Sequence, residues 1–252
     1  MVVFECWGFI HMVIVMLRII SAFLFCLSLS SGVSSSEYKD ALDAAAKGDF
    51  KTAIELFKPF AEKGDAAAQY NLGVIFFEGH ASIKNYEKAA KWTRLAAEQG
   101  VAQAQFNYGT LFYFGYGIQQ DDKQAARWYR LAAEQGVAQA QYNLGHMYSN
   151  GKGVSKDDKQ AVIWYQLAAK QGFAQAQYNL GSMYFHGEGV HKDDVSAYMW
   201  WDLAIKNGDD YTIINNSNNA KDIVVNQMSS YQIKKAQRLS RECLKKEYKG
   251  CY

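Results

Sequence analysis

The chain has 252 residues and a formal net charge of +2, with 49% hydrophobic and 21% charged residues. These proportions exclude a disordered chain, and the small net charge disfavours a nucleic-acid-binding protein. A single proline favours a mostly helical chain, and four cysteines are too few for a disulfide-dense scaffold.

The first 36 residues differ in composition from the rest. Within 1–36 a short basic start at 16–18 precedes an apolar run at 19–29 and a series of small residues, which is typical of a signal peptide. We expect cleavage within 30–37 and export to the periplasm or the medium. The alternative is an uncleaved membrane anchor, which Arg18 near the middle of the segment disfavours. Contact with a membrane is expected only in that second case.

The body of the chain repeats with a period of 36 residues. Tyr-Asn-Leu-Gly at 70–73 returns in similar form at 106–109, 142–145 and 178–181. Glycines recur at Gly64, Gly100, Gly136, Gly172 and Gly208, and tryptophans at Trp92, Trp128, Trp164 and Trp200. Four full units therefore span 65–100, 101–136, 137–172 and 173–208, and a period of this length predicts stacked supersecondary units.

Each unit is predicted to contain two helices. In the third unit the apolar stripe of the first helix consists of Ala140, Leu144, Met147 and Tyr148. Gly145 lies within that helix and recurs in every unit, which indicates a close approach of two helices. The second helix is predicted to begin at Asp157 and to bury Ala161, Trp164, Leu167 and Ala168.

Both ends depart from the repeat. Residues 37–64 are predicted to form a degenerate capping helix pair, in which Pro59 should kink or end the second helix. Residues 209–252 are predicted to form a C-terminal extension. In it, the Asn-rich segment 211–219 is expected to be a loop, and a final helix begins at Ser229.

The motif in 137–172 resembles the Sel-one-like repeat family, which is related to tetratricopeptide repeats. Its elements are Ala-x-Ala-x-Tyr-x-Leu-Gly, Gly-x-Gly-Val, an Asp, Trp-Tyr and Ala-Ala-x-x-Gly. The resemblance covers 65–208 well and 37–64 loosely. It implies an all-α protein, an α–α superhelical solenoid of 36-residue helix-turn-helix repeats, whose first helices line a concave surface. It also implies an adaptor that binds a protein or peptide, commonly in the bacterial envelope or secreted.

Residues that vary between units on the first helices form a stripe that is free to serve binding. We refer to these candidates and their neighbours as the first-helix stripe: Tyr70, Phe77, Phe106, Tyr113, Phe114, Gln139, Tyr142, His146, Asn150, Tyr178, Phe185 and His186. Two interpretations stay open for the nearly constant column at 70, 106, 142 and 178, which serves either the groove or packing between repeats. A surface position is favoured for Phe77, Tyr113 and Phe185, because the third unit has Ser149 there.

No catalytic motif stands out, and we expect a non-catalytic protein without cofactor or bound metal. The four histidines of the repeat region lie in different units or loops, without the paired spacing of zinc ligands. A function in cell-wall or β-lactam chemistry is the alternative. A cysteine-rich secreted branch of the family is linked to that chemistry through a cysteine pair in each repeat. This chain has no cysteine between Cys26 and Cys243.

Two cysteines, Cys243 and Cys251, lie near the C-terminus and are able to pair in an oxidising compartment. A straight helix would hold them about 12 Å apart, so pairing requires the chain to turn back, for which Gly250 offers freedom. Two unpaired thiols are the alternative.

Overall fold

The structure is a computed structural model that describes residues 35–79 and 82–251. Within these residues all regular secondary structure is helical, in consecutive helix-turn-helix units, which confirms the predicted fold class. The helices are α1 (Ser35–Ala46), α2 (Phe50–Glu62), α3 (Ala66–Glu78), α4 (Tyr86–Glu98), α5 (Ala102–Phe114), α6 (Asp122–Glu134), α7 (Ala138–Asn150), α8 (Asp158–Ala169), α9 (Ala174–His186), α10 (Asp194–Asn207), α11 (Tyr211–Val225) and α12 (Ser230–Lys245).

The predicted signal peptide or anchor at 1–36 lies outside the described residues except for its last two positions. None of the described helices combines the length and the apolarity that crossing a membrane requires. Two compact units are present. The first lies within Met1–Ala104 and Tyr116–Ile118, and the second within Gln105–Gly115 and Gln119–Tyr252.

The predicted helix starts are confirmed by their caps. Asp157 accepts hydrogen bonds from the backbone N–H groups of Lys159 and Gln160, both at 3.0 Å. Asp121 makes the equivalent pair of bonds at the start of α6. Each cap satisfies backbone donors that no helical carbonyl can reach, so these aspartates fix where the second helices begin.

Gly145 allows the two helices of its repeat to approach closely, as predicted. A Cβ atom added there would lie 2.9 Å from Cδ1 of Tyr165, well inside ordinary contact distance. In the neighbouring repeats the glycine faces Tyr129 and Trp201 in the same way. In these three repeats the glycine admits an aromatic ring from the second helix, and in the first repeat Gly73 faces Thr93.

The predicted buried stripe of α8 is correct at Ala161 and Ala168, which are fully buried, and wrong at Trp164 and Leu167. In α8 the buried aromatic residue is Tyr165, 2% exposed, whereas Trp164 is half-buried and Leu167 is 41% exposed. The repeat carries two adjacent aromatic residues, and the space above Gly145 accepts the second of them. Leu167 consequently turns to solvent on the opposite side of the helix.

A buried glutamine column joins consecutive repeats in both units. In the second unit Gln141 donates to the carbonyl of Ala133 at 3.0 Å and accepts from Gln171 at 2.8 Å. One period later Gln177 donates to Ala169 and accepts from Asn207. Buried amides are retained only when their hydrogen bonds are made, and here each amide bonds to both neighbouring helix ends.

Pro59 does not end its helix, because α2 continues to Glu62. The ring removes one backbone donor from the last turns. Phe57, Phe60 and Ala61 on either side of it are buried, and this packing holds the helix beyond the proline.

The prediction of a loop at 211–219 is wrong, since this segment forms the first part of α11. Ser217 and Val224 are fully buried, so tertiary packing overrides the weak helix propensity of the asparagines. The next helix, α12, starts as predicted with a capping box between Ser229 and Gln232.

Cys243 and Cys251 form a disulfide, with their Cα atoms 5.4 Å apart. The chain turns back after α12 through left-handed residues at Glu247, Tyr248 and Gly250. This turn brings the cysteines far closer than a continued helix would, and both lie buried in the core.

Candidate functional site

In the first compact unit, residues of the first-helix stripe pack on aromatic side chains. Phe77 is half-buried, and its ring lies 5.5 Å from Tyr86 and 5.9 Å from Tyr116. Tyr86 and Tyr116 in turn stack on each other at 4.8 Å. Tyr70 is also half-buried. Phe77 thus presents part of its ring to solvent from a fixed aromatic support.

In the second compact unit, the ring of Tyr129 packs against the first residues of the first-helix stripe. Its ring centre lies 5.8 Å from Phe106 and 6.4 Å from Tyr113, and its hydroxyl shares a hydrogen bond with Thr110. Phe106 is 5% exposed, so at this position the column packs in the core. Tyr113 is half-buried and Phe114, beside it, is 48% exposed.

A cation lies over Tyr113. Lys152, from the loop after α7, places its Nζ 3.7 Å from the centre of the Tyr113 ring and 3.4 Å from Oδ1 of Asp122. Burial and the charge of Lys152 lower the pKa of His146, so this imidazole is neutral at pH 7. A phenol and an ammonium group therefore meet beside the end of the third repeat's first helix, and the neutral imidazole of His146 lies one turn earlier on that helix. Such groups are suited to anchoring polar and aromatic groups of a ligand.

Tyr142 and Asn150 continue the stripe on α7. The ring of Tyr142 lies 5.8 Å from Tyr165 and 5.3 Å from Phe173. Burial raises the pKa of Tyr142, so it stays protonated as a hydrogen-bond donor. Asn150 is exposed and donates to the carbonyl of His146 at 2.8 Å.

The stripe in the fourth repeat is supported by Trp201. Phe185 is half-buried, with its ring 5.6 Å from Trp201 and the Nζ of Lys192 5.1 Å from its centre. His186 is exposed and packs edge-on against Phe185. The two remaining members, Gln139 and Tyr178, are half-buried, and the carbonyl of Tyr178 accepts from the Trp201 indole.

The residues that sequence reasoning missed come from the loops and from the second helices. Lys152 stands where the neighbouring repeats have Tyr116 and Glu188, so it too varies from repeat to repeat. Comparing loop positions in the same way as helix positions would have found it. Tyr129 and Tyr165 were missed because the preceding column, which holds Trp128 and Trp164, was predicted to be the buried aromatic one.

Metal chemistry has no support in the described part of the chain. Within 35–79 and 82–251 no three histidine, cysteine or acidic side chains gather in a group able to hold a metal ion. The acidic pairs at the starts of α6, α8 and α10 act as helix caps and ion-pair partners.

The profile of the Sel1 repeat family matches residues 42–65, 66–101, 102–137, 138–173 and 174–209. The chain belongs to the Sel1 repeat family. The match includes most of the N-terminal helix pair, which the sequence identified only loosely, and it places each repeat one residue later than the predicted units. A search of curated proteins gave no match.

Two solved structures resemble this Sel1 repeat chain. One is a protective antigen present in uropathogenic Escherichia coli strains and displaying an SLR fold. It is 33% identical with a TM-score of 0.74, over 86% of this chain and 47% of that one. The other is a Sel1 repeat protein from Oxalobacter formigenes, 28% identical with a TM-score of 0.65, over 80% and 84% of the two chains. The chain thus spans about half the length of the E. coli antigen and has the Sel1 solenoid fold, which generally serves as a protein–protein interaction scaffold.

Proposed function

We propose that this Sel1 repeat chain is an exported, non-catalytic adaptor that holds a protein or peptide against its first-helix stripe. The observation that carries the proposal is the group formed by Tyr113, His146 and Lys152. None of the three positions holds the same residue in every repeat; Lys152 lies over the ring of Tyr113, its charge acts on His146, and all three side chains are partly exposed. Lys152 also pairs with Asp122 of the preceding repeat, so the group helps to join two repeats, and its three side chains remain partly exposed to a ligand.

The chemistry of the stripe fits peptide recognition. Rings held half-buried on a firm aromatic support provide contact area at little further cost in side-chain entropy, which is the property of interface anchors. Tyr113 and Phe185 each have a lysine over the ring, so an aromatic or acidic side chain of a partner would find both apolar and cationic contacts.

A crosslinking pull-down from the envelope fraction tests the groove. The baits are the full chain and a variant with Phe77, Tyr113 and Phe185 changed to alanine. A matched control changes Tyr211, Ile223 and Tyr231, which are more than half exposed on α11 and α12. We expect a partner that the wild type and the control capture and that the stripe variant binds about ten-fold or more weakly.

Equal capture by all three baits would contradict the groove assignment. Hydrolysis of a chromogenic β-lactam by the purified chain, well above a heat-killed control, would contradict the non-catalytic role.

Export is tested separately by sequencing the N-terminus of the mature protein. We expect a new N-terminus within 30–37, because the small residues there suit signal peptidase. An intact 1–36 segment on a protein recovered from the cytosol would contradict export but would leave the groove proposal standing.

A further inference from the structure

One face of the second helices is covered in the fourth repeat and uncovered in the third. On α10, Met199 is 3% and Leu203 0% exposed. One period earlier on α8, Ile163 is 46% and Leu167 41% exposed, and a further period earlier on α6, Leu131 is 36% exposed. Both columns are apolar on α8 and α10, so these two helices differ in their cover and not in the kind of surface, whereas on α6 the column of Ile163 holds Arg127.

The cover in the fourth repeat is a helix of the chain itself. Leu239 and Cys243 of α12 line a cleft of about 180 Å³ together with Met199. Next to it the hydroxyl of Ser240 donates to Asp202 of α10 at 2.6 Å. The molecule therefore shows directly what this face accepts, namely an amphipathic helix that lays small and apolar side chains on these columns.

The charge on the face reverses between the covered and the uncovered repeats. The position of Asp202, which receives Ser240 beneath the basic helix α12, holds Gln166 on α8 and Arg130 on α6. Arg130 donates to the hydroxyl of Tyr148 and keeps further N–H donors at an exposed position. A helix laid on α6 and α8 would meet this exposed guanidinium, which favours acidic residues on the flanks of that helix.

The other charged residues on α6 and α8 also leave this face positively charged. The half-buried acids at the starts of α6 and α8, Asp122 and Asp158, form ion pairs with Lys152 and Lys156. Glu134 is the exposed acid on these two helices. The exposed cations on α6, α8 and the residue after α8 are Lys123, Arg127, Arg130, Lys159 and Lys170.

We infer that the face of α6 and α8 around Ile163 and Leu167 binds an amphipathic helix of a partner protein whose flanks are acidic. The apolar residues of that helix take the place that Leu239 and Cys243 take over α10, and its carboxylates meet the Arg130 column. A second copy of this chain is disfavoured as the occupant, because pairing the face with itself would oppose cations to cations. The surface belongs to the second helices and does not depend on the stripe of the first helices.

The test uses two helix-stapled peptides and the full chain. Both peptides have the 16-residue length of α12 and its apolar positions, with serine in place of Cys243. One has glutamate and the other lysine at every solvent-facing position. We expect the glutamate peptide to bind at least about ten-fold more tightly than the lysine peptide at low salt, and to weaken as salt is raised.

Two variants locate the binding. Ile163→Ser with Leu167→Ser removes the apolar centre without adding charge, and we expect binding of the glutamate peptide to fall about ten-fold or more. Arg127→Glu with Arg130→Glu should invert the preference, so that the lysine peptide binds more tightly. All four substitutions are at exposed positions, and circular dichroism checks that the helices are retained.

Several results would overturn the proposal. They are equal binding of the two peptides, binding that the serine variant leaves unchanged, and no binding of the glutamate peptide at about 1 mM. Binding to phosphatidylserine vesicles that the serine variant loses, without peptide binding, would instead identify the face as a membrane contact. Concentration-dependent dimers that the serine variant loses would identify it as a self-interface.

Discussion

The first helix pair of the described chain buries Phe57 and Phe60 against Tyr38, with ring centres 5.4 and 5.5 Å apart. The last pair, α11 and α12, is fastened differently. It has a disulfide and a capping box, and Lys221 of α11 contacts a half-buried carboxylate of α10, Asp202, which also contacts Lys206, both at 2.5 Å. Both pairs bury apolar side chains, and the last pair adds a disulfide and an ion pair to α10.

This difference follows from the repeat. Most of the first pair matches the Sel1 profile, at 42–65, and so inherits the apolar surfaces with which every repeat meets the next. The segment after residue 209 lies outside the profile and carries a polar, basic sequence. A helix that does not share the repeat's packing surfaces needs bonds of its own to stay in place. Three changes test this contrast, from the largest expected effect to the smallest.

Phe57→Ala should have the largest effect. The side chain is fully buried and contacts the ring of Tyr38, so its loss leaves a cavity and costs about 3–5 kcal/mol of unfolding free energy. Hydrogen exchange should accelerate in α1 to α3. Phe114→Ala, at a residue that is 48% exposed, is the control and should change stability by less than about 0.5 kcal/mol. A loss below about 1 kcal/mol for Phe57→Ala would show that burial is not what holds the first pair.

Removing the disulfide should have the next largest effect. With Cys243 and Cys251 both changed to serine, the short loop no longer restricts the unfolded chain, and we expect a loss of about 2–3 kcal/mol. Amide exchange in α12 should accelerate while exchange in α1 and α2 serves as the internal reference. Unchanged protection of α12 would mean that its apolar packing and the hydrogen bonds of Ser240 hold it without the disulfide.

Asp202→Asn should have a smaller and pH-dependent effect of about 1–2 kcal/mol at pH 7. Burial alone would raise the pKa of Asp202, but hydrogen bonds from Lys206, Lys221 and Ser240 bring it below its usual value. The carboxylate therefore stabilises the fold above about pH 4, and this contribution is lost as the pH falls further. Wild type and variant should converge in acid. Asp222→Asn, at an exposed neighbour of Lys221, is the control, and parallel pH profiles for all three would refute the assignment.

The period of the sequence was enough to predict the helix pairs, the aspartate caps and the close approach at Gly145. These features are local, or they recur often enough to be read from spacing. The order of burial in the second helices was not predictable in this way. Trp164 and Tyr165 are adjacent and both aromatic, and only the space above Gly145 selects Tyr165. The helix at 211–219 was missed because distant contacts stabilise it, through Ser217 and Val224.

The position of the first-helix stripe was predictable, but the side chains that contact it from other segments were not. Variation between repeats indicated Tyr113 and His146, whereas Lys152 reaches them from a loop whose course the sequence does not specify. The same holds for the face around Ile163. Its exposure depends on where α12 lies, and α12 is outside the repeat.

The glutamine column defines the length of chain that can be inserted into this protein or removed from it. Gln141 and Gln177 each join the carbonyl of one helix end to the amide of another, always across a fixed interval. Excising 137–172 would join Gly136 to Phe173 and offer Gln177 the carbonyl of Ala133 in place of Ala169. Cutting a length that is not a multiple of 36 residues would leave a buried amide without its partner. The buried hydrogen bonds thus tolerate the gain or loss of whole 36-residue modules during evolution. Binding surfaces can therefore be added or removed one module at a time.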